Sequence, residues 1–242
     1  MFRTLAAAAL FTATALPALA QDTLDDAAFG ERVRAYLLEN PEVIMEAVGI
    51  LQQRDEAAAM ASDQAMVAAQ NEALTNDGFS WVGGNPDGDI TIVEFMDYRC
   101  GYCKRAFPEV ENLLSADGNI RFIVKEFPIL GDQSVLASQF AIAAQIVAGD
   151  EAYKAVHDTL MSTNVEITED SLRQLADGLD LDGDAILAGI DDPEVIRRIS
   201  ETRALGQALN ISGTPTFVVQ DQMVRGYVPE DQLQALIDSL RG

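Results

Sequence analysis

The spacing of apolar positions divides the chain into three stretches. From about Thr23 to Leu74 they recur at helical intervals. Phe29, Val33, Tyr36 and Leu37 line one face of a first helix, and Ile44, Val48 and Leu51 line one face of a second. Asn40-Pro41 separates the two. Asn suits an N-cap and Pro the first helical position, so the second helix is predicted to start at Pro41. Asp55 interrupts the stripe, and the residues beyond it are mostly Ala, with Met60 and Met66. Nothing here alternates strand with helix, so this segment is placed outside the catalytic fold.

The period changes after the turn clusters at Asn76-Asp77-Gly78 and Gly83 to Asp89. Phe79 to Val82 is a short strand candidate. Ile90 to Met96 is nearly all apolar, as a central strand buried on both faces should be. A Cys-x-x-Cys pair follows, then a helical stretch from Tyr102 to about Ser115 that contains Pro108, then a strand from Ile120 to Phe127. This is a strand–helix–strand unit with its cysteines at the first turn. From Asp132 to about Leu209 the period is helical, in five segments beginning near Val135, Tyr153, Ser171, Ala185 and Pro193. Thr216 to Gln220 and Met223 to Tyr227 form a predicted hairpin closed by Asp221-Gln222, and Pro229 to Leu240 a last helix.

The first twenty residues carry a different pattern. Arg3 precedes an apolar run from Leu5 to Leu16, and Ala18-Leu19-Ala20 has the small-x-small form of a cleavage site. Residues 1–20 are therefore expected to be a secretory signal peptide cut after Ala20, the run being short for a membrane span. The expected location is the periplasm or another exported compartment. The net charge of −23 argues against nucleic acid and anionic membrane surfaces as partners. Export also changes the meaning of the cysteines. Exported proteins use cysteine as structural staples, yet this chain has two, Cys100 and Cys103, with none left over for a staple.

Disulfide exchange needs a thiolate to attack and a second thiol to resolve the mixed disulfide. In Cys100-Gly101-Tyr102-Cys103 the spacing places both sulfurs on one helical face, with Cys100 at the helix N-terminus, where free N–H groups favour a negative sulfur. Arg99, Lys104 and Arg105 add positive charge around the pair. Cys100 is assigned as nucleophile and Cys103 as resolving thiol. A zinc site would need several carboxylates, since His157 is the sole histidine and there is no second Cys-x-x-Cys. His157 itself is expected to be a helix residue near the surface. No cofactor beyond the cysteine pair is expected. A second candidate feature is Gly213-Thr214-Pro215-Thr216, ahead of the late hairpin; sequence does not reveal the isomer of its Thr-Pro bond.

Phe95 to Lys104, with the form F-x-D-Y-x-C-G-Y-C-K, resembles the active-site segment of the DsbA-like proteins of the thioredoxin superfamily, and Gly213 to Phe217 resembles their cis-proline loop. The resemblance covers about residues 79–242. Phe29 to Ala47 is similar to the N-terminal segment of the ScsC- and Com1-like members. The implied fold is α/β: a thioredoxin fold at 79–242 with a helical domain inserted at about 132–209, preceded by a helical segment at 21–78. The resemblance implies that Pro215 is the cis-proline packed on the cysteines and that Thr214 offers its backbone to an extended client peptide. It makes Glu94 the buried acid that relays protons to Cys103, with Lys125 as its partner. Alternation along the strand supports this by placing Ile90, Ile92 and Glu94 on one face.

The implied activity is thiol–disulfide interchange on unfolded or misfolded exported proteins, in concert with a membrane reductase or oxidase. Gly101 and Tyr102, with Thr before the proline, resemble the isomerase branch, so an isomerase or reductase less oxidising than DsbA is favoured. A dithiol oxidase is the alternative. Residues 21–75 are a candidate oligomerisation segment, with a trimer suggested by the resemblance; a helical pair folded back on its own domain is the other reading. The ScsC resemblance also brings in copper tolerance. The cysteine pair suits Cu(I), and Met96 is close in sequence, although Met96 ends an apolar strand and is better placed as core.

Overall fold

A computed structural model describes residues 25–242, so the expected signal peptide lies outside the described residues. The chain divides at Arg54–Asp55 into two compact units. In the first, α1 (Asp26–Glu39) is followed by the opening part of α2 (Glu42–Ala69). Asn40 closes α1 and does not cap α2: its backbone N–H and its Nδ2 both donate to Tyr36 O, at 2.8 and 2.9 Å. No residue of α1 is buried, and Phe29, Tyr36, Leu38, Ile44, Met45 and Leu51 stand exposed.

The second unit starts earlier in the chain than the change of period at residue 79 suggests. The rest of α2 and the short α3 (Asn71–Thr75) belong to it. Val67 and Leu74 are buried in a cluster with Val93, Phe95, Ile123 and Leu209. Val67 and Leu74 lie in an Ala-rich stretch with little stripe of its own. Their role depends on a sheet that forms later in the chain.

That sheet has five strands in the order β1-β3-β2-β4-β5: β1 (Trp81–Gly84), β2 (Ile90–Met96), β3 (Ile120–Glu126), β4 (Thr216–Val219) and β5 (Gln222–Arg225). β2 and β3 are parallel, joined through α4 (Gly101–Asp117); the other pairings are antiparallel. β2 is apolar except for Thr91 and Glu94, because both its faces are covered. Ile90, Ile92 and Met96 face one cluster with Val110, Leu113 and Phe140, while Val93 and Phe95 face the other. α4 accommodates Pro108 and ends at Gly118, whose φ of 69° closes the helix in the left-handed conformation.

Between β3 and β4 run α5 (Asp132–Ala148), α6 (Asp150–Ser162), α7 (Glu169–Gly178), α8 (Gly183–Ala188) and α9 (Pro193–Ala208). Thr168, Asp182 and Asp192 cap α7, α8 and α9 through their side chains. The hairpin turn falls at Gln220-Asp221, one residue before the predicted pair, with Gln220 at φ 56°. α10 (Glu230–Arg241) closes the chain and packs on α4. This is a thioredoxin-type sheet with a helical insertion, the α/β fold expected from the sequence.

Candidate active site

The centre is built where β2 gives way to α4. Cys100 is the N-cap residue of α4, with extended backbone (φ −76°, ψ 115°), and its carbonyl accepts from Lys104 N. The turn is held from behind by Asp97, which is fully buried. Its carboxylate accepts from the N–H groups of Arg99 (2.8 Å), Ile129 (2.8 Å) and Leu130 (3.0 Å). Asp97 thus ties the cysteine turn to the loop after β3. In the sequence Asp97 is an acid at the end of an apolar strand, within the F-x-D-Y motif, a position that does not by itself reveal its role.

The Thr214-Pro215 peptide bond is cis. Cys100 Sγ lies 3.1 Å from Thr214 O, and Pro215 O accepts from Gly226 N at 2.9 Å. Segments 114 residues apart in the chain thereby meet at one sulfur. Both cysteines are free thiols in this structure, and their environments differ. Hydrogen bonds hold the Cys100 thiol down to about 5, against opposition from burial. The strongest is from the Cys103 thiol, followed by those from the Thr214 side chain and the N–H groups of Cys103 and Tyr102. Burial pushes Cys103, 0% exposed, far above the usual thiol range, with added contributions from its bond to Cys100 and the charge of Glu94. The two sulfurs are chemically unequal in the order an attacking and a resolving thiol require.

The flanking cations are engaged elsewhere. Arg99 Nη1 donates to Leu130 O at 3.2 Å. Lys104 Nζ donates to Leu160 O at 2.9 Å and to Thr163 O, closing the end of α6. Arg105 lies 4.5 Å over the Tyr227 ring. Local hydrogen bonds, not this positive cluster, hold down the Cys100 thiol. Gly101 and Tyr102 are exposed, and the Tyr102 ring stacks on Tyr227 at 6.4 Å. Tyr227 in turn donates to Glu109 Oε1 at 2.5 Å, which links the inter-cysteine dipeptide to the loop after β5. Tyr227 carried no signal of its own in the sequence.

Glu94 is 4% exposed, and its Oε1 has no hydrogen-bond partner. Burial, and secondarily the charge on Cys100, pushes its carboxyl up to about 8. The expected pairing with Lys125 is overturned. Lys125 stands opposite Phe95 in the parallel register, whereas Glu94 stands opposite Val124, so the two side chains leave the sheet on opposite faces. Lys125 Nζ instead meets Asp77 Oδ2 at 2.6 Å and Ala73 O at 2.8 Å, beneath α3. His157 is also not where the sequence suggested. It is 3% exposed, stacked on Tyr153, and held neutral by burial, which drives it down to about 3. Met96 is fully buried in the cluster that contains both cysteines.

A thioredoxin-type sheet, a helix-capping cysteine of depressed pKa and a cis-proline loop against its sulfur define a dithiol protein of the thioredoxin class. The DSBA-like thioredoxin domain family matches residues 91–238, and the chain belongs to that family. Residues 25–58 match the copper resistance protein ScsC N-terminal domain. Among solved structures, a thioredoxin-like oxidoreductase from Silicibacter pomeroyi DSS-3 is 40% identical, with a TM-score of 0.66, covering 70% of this chain and 96% of that one. A periplasmic thioredoxin-like protein from Salmonella enterica serovar Typhimurium is 29% identical, with a TM-score of 0.62, covering 70% and 94%. A Na(+)/H(+) antiporter, NhaA 1, from Salinispora arenicola is 32% identical over 158 residues, 65% of this chain. The chain spans about a quarter (24%) of the length of that curated relative. Among the described residues no helix is long and apolar enough to cross a membrane.

Proposed function

We propose that this protein is an exported thiol–disulfide oxidoreductase that acts on disulfides of exported proteins through Cys100 and Cys103. The observation that carries the reading is the inequality of the two sulfurs: Cys100 is held down to about 5 at a helix N-terminus, against the cis-proline loop, while Cys103 is buried and pushed up. Cys100 attacks a client disulfide as thiolate. The S–S bond breaks, the client's second sulfur leaves as thiolate, and a Cys100–client mixed disulfide forms. Cys103 then loses its proton and attacks Cys100 Sγ, which releases the client as a thiol. The enzyme disulfide is left behind, and the reverse order oxidises a client. In this reading Glu94 takes the Cys103 proton, and the Thr214 backbone holds the client strand. Export to the periplasm is supported by the leader pattern in residues 1–20 and by the likeness to the periplasmic thioredoxin-like protein of Salmonella.

Isomerisation or reduction is the favoured direction, from Gly101-Tyr102 and from Thr214 before Pro215. Several active sites per molecule suit that use. The apolar residues left exposed in 25–54 support self-association of that segment. Light scattering of the whole chain and of a chain lacking residues 21–54 tests this: a single chain per particle in both removes the idea. A cut at 75 is unsuitable because it would strip Val67 and Leu74 from the sheet.

The exchange reading is tested by replacing Cys103 with Ser in the native compartment and identifying what stays on Cys100. Mixed disulfides with exported proteins and with one membrane redox protein are expected. Failure to trap any overturns the mechanism. A Cu(I)-binding role is a second reading, favoured by the match of residues 25–58 to a copper resistance protein domain. Stoichiometric Cu(I) uptake against a competing chelator, without turnover of a scrambled disulfide substrate, would replace the first reading with it.

A further inference from the structure

A client disulfide brings two polypeptide segments to the redox centre, one on each sulfur. The Thr214 backbone holds one strand in the reading above, and the other segment has no place there. A cleft of ≈360 Å³ opens beside the attacking residue, between the start of α4 and the α6–α7 loop. Arg99 and Gly101, the chain neighbours of Cys100, line it, while Thr214 and Pro215 take no part. The cleft therefore adjoins Cys100 on a side other than the cis-proline loop. At Gly101 its wall is bare backbone with open space before it, so a segment reaches the cysteine turn without crossing a side chain.

Floor and rim are both held in place. The floor includes Tyr98, 1% exposed, whose hydroxyl donates to the buried Glu126 Oε1 at 2.7 Å, and the buried Ile167. The rim loop is anchored at two points: Lys104 Nζ donates to Thr163 O, and Ser171 Oγ donates to Glu166 O at 2.7 Å. Between these anchors Asn164 and Val165 stand exposed, Val165 by 52%. Gln133 lines the cleft from the first turn of α5. The Gln133 and Asn164 amides both donate and accept, as pairing with a peptide backbone of any sequence requires. The size, the apolar floor and the few polar groups are those of a site for a side chain and its backbone. Exposed apolar surface is also concentrated here. Of the seven large apolar side chains exposed beyond residue 76, four are Tyr102 in the first turn of α4, Ile129 and Leu130 in the loop held by Asp97 and Arg99, and Val165.

We propose that this cleft holds the client segment that carries the leaving cysteine. The inference rests on the exchange reading above, with the attacked strand at Thr214. In the step, Cys100 Sγ bonds to the sulfur of the strand at Thr214 and the client S–S bond breaks. Its electron pair stays on the sulfur of the segment in the cleft. Held there, the displaced thiolate remains beside the mixed disulfide and can attack again, as isomerisation requires. The inserted helices, which supply Gln133 and the rim loop, thereby take part in handling the client.

The test uses the reduced full chain and one client peptide carried as two disulfides, one with a second copy of the peptide and one with N-acetylcysteine. Attack at the client sulfur is counted by the partner thiol released, and each variant is compared with wild type on the same substrate, so differences between leaving thiols cancel. Val165→Ser is expected to slow the peptide-linked substrate roughly three- to tenfold, since about half of the Val165 side chain remains to be buried. Asn164→Ala should lose roughly two- to tenfold on that substrate, the worth of one hydrogen bond. Both variants should match wild type on the N-acetylcysteine substrate, and the Cys100 titration midpoint should not move. Equal losses on the two substrates assign the cleft to the segment that Cys100 itself holds and overturn the inference. Wild-type rates of both variants on both substrates overturn it as well, and leave the exchange reading standing. A wild-type protein that releases neither partner removes the exchange reading itself.

Discussion

The Cys103 thiol is the largest single influence holding down Cys100, so its removal is the sharpest probe of the site. With Cys100 at about 5, a thiolate fraction of about 99% is expected at pH 7, against about 1% for a thiol at the ordinary 9. A hydrogen bond to a charged group contributes about 1.5–3 kcal/mol, or about 1–2 pKa units. Cys103→Ala should therefore raise the Cys100 midpoint to about 6–7, while Cys103→Ser, which retains a donor, should stay near the wild type. Thiolate ultraviolet absorbance reads the midpoint directly. Alkylation provides a second check. Lower basicity reduces intrinsic nucleophilicity, by roughly 40–100-fold over four units at a Brønsted slope of about 0.4–0.5. Cys100 should thus react at about the rate of an ordinary thiol at pH 7, yet roughly 50–100 times faster at about pH 5, where an ordinary thiol is almost wholly protonated. A wild-type midpoint above about 7, or a midpoint unchanged in Cys103→Ala, refutes this account of the site. The same shift carries a stability consequence. The folded value lies below the unfolded one, so reduced protein gains stability that is complete above about pH 9 and is lost as the pH falls through about 5. The disulfide form carries no such group, so the advantage of the reduced over the oxidised protein should shrink in acid.

A Cys100 value of about 5 lies between those of thioredoxin and DsbA, at about 7 and 3.5. The reduction potential is therefore expected between their values of about −270 and −120 mV, and a glutathione equilibrium at or above the DsbA value excludes the isomerase-type reading. Asp77→Asn leaves the 1%-exposed Lys125 ammonium without its anion and should cost about 3–5 kcal/mol in urea denaturation. Adding Lys125→Met should recover most of that loss, and a strictly additive double variant would deny the pair any coupling. Glu94 is raised when folded, so its contribution to stability falls as the pH climbs from about 4.5 to about 8, opposite in sign to that of Cys100; the stability of reduced wild-type protein relative to reduced Glu94→Leu should fall across that window, and a constant difference would contradict the shift. Gly206→Ala would set a Cβ 2.5 Å from Phe127 Cε2, an overpacking cost of about 1–3 kcal/mol that a melting scan without a drop would disprove.

Much of this protein is legible in the chain itself, because its main signals are local. The buried strand Ile90–Met96, the cysteine pair at the head of α4, the capped helices of the insertion and the closing hairpin each follow from neighbouring residues. Periodicity, capping and turn chemistry act over a few positions. What remained hidden depends on partners far apart in sequence. Lys125 is one residue away from the face that would have brought it to Glu94, and a parallel register decides that. Val67 and Leu74 join the core only because a sheet made of later residues offers them a face. His157 is buried because Tyr153, Tyr98 and Phe107 close around it. The opposition of Cys100 to Thr214 was suggested by motif resemblance, but the 3.1 Å contact exists only because β4 pairs with β2. The sequence alone determined which residues can do the chemistry. Tertiary packing decided which of them meet, since strand register and burial are properties of the assembled sheet.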